Sequence, residues 1–370
     1  MSKRKKTSQR STIPYVRGFS VPTVADKRTA LGSDNNTDFY SFTGHQSIPR
    51  CNSVDDWLAQ YKEEGQTVTQ FLRENPWFSK RKRKYVKQEF VSSGVSIGEK
   101  YPCGKLYLLP IGDLDMDVNR LCNFATTYLG IEMCALPPLK TGVKGNKVWV
   151  ERRGGDKHTI PGRVADNGRM QLNVTGAIQE VKYQLEHLPD SLCVVALTKY
   201  ELFETKSDLF VAGMASGNQR VGVFSVLRYD PNLVFSSEFW HDVSTVSDPM
   251  SRDDTRRLVV ERCIKLLVHE TMHLLGLDHC IYFACVMNGS GHLKEDFRQP
   301  LALCPVCLKK MFLLTKFDMK KRYNSLKESY QESGMVKEAK WVIDRLEMFN
   351  KLEQKEQEIE TLTSSSSAKL

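Results

Sequence analysis

The chain lacks an apolar run long enough to cross a bilayer; stretches such as Leu192–Thr198 have only the length of a buried strand. The segment Met1–Arg10 is polar and basic and lacks the apolar centre of a secretory signal, so the expected setting is cytoplasmic or nuclear and not secreted. That setting also excludes a disulfide framework for the ten cysteines, which are expected to be thiols or metal ligands. There are no internal repeats, so a repeat architecture is not expected. Histidine is scarce, 8 in 370 residues, and several imidazoles grouped at one place therefore carry weight.

What is present begins with an ordinary globular composition, 41% hydrophobic and 26% charged, in a chain able to bury a substantial core. The net charge of +9 is unevenly placed: residues 1–100 hold 18 Lys/Arg against 10 Asp/Glu, so +8 of it lies there. The runs Lys3–Lys6 and Lys80–Lys84 are not interleaved with aromatics, which argues for solvated segments and against a nucleic-acid surface.

Residues 1–50 are polar with little periodicity and are expected to be loosely attached, a disordered basic region. Residues 51–100 form an expected helical extension: Ser53–Asp56 resembles a cap before Trp57, and Thr67–Glu74 reads as a helix ending before Pro76. From about Cys103 short apolar runs alternate with helical stretches. Strands are expected at Lys105–Ile111, Ile131–Leu136, Leu192–Thr198, Leu209–Ala215 and Val221–Val226, and helices at Asp115–Tyr128 and Gly176–His187. The pattern indicates an α/β class, a mixed sheet with helices packed on it, spanning residues 101–320. Thr255–Leu275 is the strongest helix, stopped by Gly276. Residues 321–370 are an expected helical extension, Lys320–Leu362, with Val342, Leu346, Phe349, Leu352 and Ile359 docking it, and a frayed tail Thr363–Leu370.

The chemistry concentrates at His269-Glu270-Thr271-Met272-His273-Leu274-Leu275-Gly276-Leu277-Asp278-His279. Four residues apart on a helix, His269 and His273 share a face and suit two ligands of a tetrahedral zinc. Gly276 can adopt the left-handed conformation that turns the chain back and delivers His279 as the third ligand. Three protein ligands leave one position open, the mark of a catalytic site. Glu270 then reaches a water at the metal as general base, while the metal polarises the scissile carbonyl. Glu295 is the competing third ligand, with weaker local geometry. His292, Tyr282 and Tyr229 are candidate oxyanion partners, though each reads first as packing or surface.

Directly downstream stand Cys280, Cys285, Met287 and the pair Cys304/Cys307. Four cysteines make a closed, structural zinc site that would fix His279 through its neighbour Cys280. The expected cofactor is therefore Zn2+, two per chain. The other six cysteines, Cys51, Cys103, Cys122, Cys134, Cys193 and Cys263, are scattered among apolar residues, and most read as inert buried thiols.

From His269 to Cys307 the sequence resembles the archaemetzincins, a branch of the metzincin zinc peptidases, at every fixed position of their HExxHxxGxxHC, Cx4CxM and CxxC signature. The resemblance extends more softly from about Val54 to Phe317. It implies a metzincin-like catalytic domain, a methionine turn at Met287, a cleft strand placed by position at Asp208–Gly217, and aminopeptidase or general metallopeptidase activity on a peptide or protein substrate. The reading from another class is a non-catalytic zinc module that binds protein or nucleic acid through its basic first third; an intact Glu270 speaks against it.

Overall fold

The computed structural model describes residues 13–32, 39–82, 86–152, 154–165, 168–233 and 250–367; Lys3–Lys6 lies outside them and Lys80–Lys84 partly so. Ten strands are present among them: β1 (Lys105–Ile111), β2 (Met133–Ala135), β3 (Thr141–Lys144), β4 (Lys147–Glu151), β5 (Lys157–Val164), β6 (Met170–Asn173), β7 (Ser191–Thr198), β8 (Glu201–Phe203), β9 (Gly213–Ser216) and β10 (Val221–Ser225). They form two five-stranded sheets, ordered β2-β1-β7-β10-β9 and β3-β4-β5-β6-β8. In the first, β2, β1, β7 and β10 run parallel and β9 closes one edge antiparallel. The mixed class expected from the sequence is thus present, but with a second sheet that periodicity did not reveal.

Strand β7 is buried along its whole length, as a strand covered on both faces must be. Its side chains alternate between two cores: Val195 and Leu197 face the larger, Val194 and Ala196 the smaller. Helix Val174–Glu186 and the second sheet close the smaller core. On the other side, helix Arg252–Leu274 packs against β7 and helix Val118–Leu129. Ser251 caps its first turn by accepting from the Asp254 N–H, and Asp253 and Asp254 favour the positive end of the helix dipole.

Both ends of the chain depart from expectation. Within residues 1–50, a Thr23/Asp26 capping box starts helix Val24–Leu31, and Ala30, Tyr40 and Ile48 are buried. Composition missed this because the few apolar residues are anchored on a surface far away in sequence. The single helix expected over Lys320–Leu362 is two, Met319–Glu332 and Val336–Ser367, broken where Gly334 takes φ +69°. The second helix continues into the serines expected to fray. Val342 and Phe349 dock it; the side chains of Leu352 and Ile359 lie outside the described residues. Helix Thr67–Glu74 is Val68–Glu74 with Thr67 as its cap. The expected strand Leu209–Ala215 and the cleft segment Asp208–Gly217 reduce to the edge strand β9, preceded by a lone bridge at Val211.

Candidate metal centres

Helix Arg252–Leu274 ends as its sequence dictates. Gly276, at φ +93°, lets its own N–H reach the His273 carbonyl at 2.9 Å and the Leu277 N–H reach the Met272 carbonyl at 3.0 Å, a Schellman stop. The next three carbonyls are taken by side chains from a remote segment. Trp77 Nε1 donates to Leu274 at 3.0 Å, Asn75 Nδ2 to Leu275 at 2.8 Å and Gln66 Nε2 to Gly276 at 3.1 Å. A Cβ on Gly276 would lie 2.6 Å from Asn75 Nδ2. Gly276→Ala therefore combines a disfavoured backbone with a clash, and its unfolding midpoint in denaturant is expected to fall by an amount equal to about 1–3 kcal/mol.

The turn brings His279 back to His269 and His273. One ring nitrogen from each lies within 4.8 Å of the others, and the ring centroids are 4.6, 4.8 and 5.8 Å apart. Each Nδ1 has its own acceptor: Val286 O at 2.6 Å for His269, Leu277 O at 2.7 Å for His273, and Glu63 Oε1 at 3.1 Å for His279. A carbonyl can only accept, so His269 and His273 carry their protons on Nδ1. Their Nε2 lone pairs then face each other at 3.0 Å, too close for two acceptors with no donor between them. Only a cation reconciles them, and the donor set fits zinc, whose histidine ligands are held this way by their other ring nitrogen. Burial supports the same form: it pushes His269 down to about 4 and His273 well below its usual value, leaving both neutral.

Glu270 lines a cavity of about 350 Å³ with His269, Phe210, Ala212, Tyr229 and Asp296. Burial, with the Asp296 carboxylate behind it, pushes Glu270 up to about 8. A cation held by the three histidines would act in the opposite direction and favour the ionised form. Tyr229 donates to Asp296 Oδ2 at 3.2 Å, and its hydroxyl is engaged there.

The four cysteines Cys280, Cys285, Cys304 and Cys307 converge with all sulfurs within 4.8 Å of one another, each essentially buried. Cys280 Sγ and Cys304 Sγ are 3.5 Å apart. Backbone N–H groups point at the sulfurs: Cys304 N at 3.4 Å and Met287 N at 3.5 Å from Cys285 Sγ, and Cys307 N at 3.5 Å from Cys304 Sγ. Cys304 is also the N-cap of helix Pro305–Thr315, whose positive end favours thiolate. Burial pushes the Cys304 thiol well up, which opposes a thiolate there unless a cation joins the sulfurs, and the set of four fits a tetrahedral sulfur-bound zinc. All ten cysteines are free thiols, and most of the six outside the quartet are buried as expected: Cys51, Cys122, Cys193 and Cys263 are, while Cys134 is half-buried and Cys103 exposed. Met287 is fully buried, and its carbonyl accepts from the Cys280 N–H at 2.7 Å.

Glu295 is held elsewhere, accepting from Trp57 N and Gly291 N, both at 2.7 Å, and groups with Asp56 and His292 instead of with the three histidines. His292 donates to Asp56 at 2.9 Å, and the Tyr282 hydroxyl lies beside Gly65. The residues that sequence reading missed are Glu63, Gln66, Asn75, Trp77 and Asp296. Four of these come from about 200 residues upstream and carry no motif, so no local signal announced them.

Three imidazoles on a helix and its return loop, beside a carboxylate facing a ligand-sized cavity, have the makings of a metal-dependent hydrolase. The chain's relatives agree. The description "Peptidase family M54" matches residues 240–312. The rat protein Archaemetzincin-2 is 36% identical over 310 residues, 76% of this chain and 76% of that protein. Human Archaemetzincin-2 is 36% identical over 292 residues, 74% and 72% of the two chains. The crystal structure of an archaemetzincin from Archaeoglobus fulgidus covers 56% of this chain and 99% of its own, at 23% identity and a TM-score of 0.37. This chain belongs to the archaemetzincin family and is a zinc metallopeptidase. No described helix is long and apolar enough to cross a membrane.

Proposed function

We propose that the protein hydrolyses peptide bonds at a catalytic zinc held by His269, His273 and His279, with Glu270 as general base, and that Cys280, Cys285, Cys304 and Cys307 hold a second, structural zinc. The observation carrying this reading is the convergence of three imidazole nitrogens within 4.8 Å, next to a cavity that Glu270 lines. Zinc at that place supplies a Lewis acid that polarises the scissile carbonyl and acidifies water. Glu270 takes the proton of the attacking water on its carboxylate and passes it to the leaving amine. His269 and His273 are kept neutral and oriented by the Val286 and Leu277 carbonyls. Phe210 and Ala212 supply apolar wall to the cavity, where a substrate side chain or terminus is seated out of water.

The finer assignments follow the same reading: a metzincin-like peptidase domain over 101–320, an amino-terminal region 1–50 with an extension 51–100, a carboxy-terminal extension 321–370, a methionine turn at Met287, and action in the cytoplasm or nucleus. Aminopeptidase action is the finer reading that the family resemblance implies, with the cavity of about 350 Å³ beside Glu270 seating one substrate residue. An unbiased peptide-library digest with zinc-loaded protein is expected to release single amino-terminal residues; internal cleavage products instead would make it an endopeptidase. The non-catalytic reading has only the basic charge of the first hundred residues in its favour.

A further inference from the structure

We propose that Glu63 is a positioning residue for His279, and that the amino-terminal segment from Asp56 to Trp77 is thereby part of the metal centre. The inference rests on the three-histidine site described above.

His279 differs from its two partners in where its support comes from. His269 and His273 sit on a helix, and their Nδ1 acceptors are carbonyls within the same stretch, at Val286 and Leu277. His279 stands on the return loop, and its Nδ1 meets a carboxylate 216 residues away in sequence, Glu63 Oε1 at 3.1 Å. A carboxylate bonded to the far nitrogen of a ligating imidazole fixes its tautomer and raises its basicity more than a carbonyl does. It also places one negative charge next to a site that would otherwise be three neutral imidazoles around a dication.

The arm carrying Glu63 is itself held firmly. Trp57 Nε1 donates to the same Glu63 oxygen at 3.0 Å, and the Trp57 ring lies edge-on to His279, centroids 5.3 Å apart. Trp57 N is fixed by Glu295 at 2.7 Å, while neighbouring Asp56 binds His292 at 2.9 Å and Arg298 at 3.2 Å. Asp56, His292 and Glu295 therefore form a buttress in which Asp56 is held by His292 and Arg298, and Glu295 by two backbone N–H groups. On the far side, Gln66 spans the loop, donating to Gly276 O and accepting from Asp278 N at 3.4 Å and Lys310 Nζ at 2.9 Å. Both sides of the His279 loop are thus gripped by residues 56–77.

The test measures zinc affinity by chelator competition on the full chain, together with the visible bands of the cobalt-substituted protein. Glu63→Ala is expected to weaken the chelator-labile zinc about 10–100-fold and to shift the cobalt bands. Glu63→Gln keeps an acceptor oxygen without the charge, so it should lose less affinity and move the bands part of the way back. The neighbouring Glu64→Gln, exposed and, among the described residues, paired with Lys62, should change neither. Wild-type affinity and wild-type cobalt bands in Glu63→Ala, or in Glu63→Gln should the alanine variant not fold, would overturn the proposal. His279→Ala separates the two levels: if it holds as much zinc as wild type, the metal site itself is wrong. If it loses zinc while the Glu63 variants do not, only the role of Glu63 falls.

Discussion

Glu270→Gln is expected to lower kcat for peptide hydrolysis by a factor of about 10²–10⁴ while leaving zinc content and fold unchanged. The amide matches the carboxylate in size and still lines the cavity beside His269, but it cannot take a proton from water at neutral pH. Because Glu270 contributes no ligand to either metal cluster, the loss should appear in turnover and not in metal binding. Steady-state kinetics with a cleavable peptide, paired with elemental analysis, separates the two. Equal turnover by variant and wild type would remove Glu270 as the base and return the motif to a binding role.

The second large effect is expected from Cys304→Ser. Serine is itself a good helix cap, so the first turn of Pro305–Thr315 survives and the substitution isolates the loss of one sulfur from the quartet. Zinc content should fall by about one per chain, because a closed four-sulfur site tolerates a missing ligand poorly. Metal binding at such a site is folding free energy, so Tm should drop by roughly 5–15 °C, a loss of several kcal/mol. Activity should fall with it, since Cys280 adjoins His279 and the Cys280 N–H is tied to Met287 O at 2.7 Å. A variant with full zinc content and unchanged Tm would show that the four thiols are mere packing.

These two experiments concern residues that the sequence displayed openly. Local spacing was enough for His269, Glu270 and His273, because a helix places residues four apart on one face whatever surrounds it. Gly276 was legible for a similar reason: a glycine behind a strong helix, ahead of one more histidine, can stop it in the left-handed region. The strands Lys105–Ile111 and Ser191–Thr198 were visible because both faces are buried, which leaves a continuous apolar run. The second sheet escaped notice because β3 and β6 are only four residues long, and β3 and β5 are partly exposed and carry lysine, arginine and glycine, so their pairing gave no periodic trace.

By itself, then, the sequence determined which side chains are candidates for the chemistry: the three imidazoles, the carboxylate beside them and the four sulfurs are local patterns, set by covalent spacing and helical geometry. The tertiary structure alone decided how those atoms are held. The tautomers of His269 and His273 depend on carbonyls that meet them only once the return loop is folded. The carboxylate behind His279, and the donors that satisfy the end of helix Arg252–Leu274, come from a segment some 200 residues upstream. Contacts at that separation follow from shape and burial, not from spacing, so no pattern along the chain could announce them.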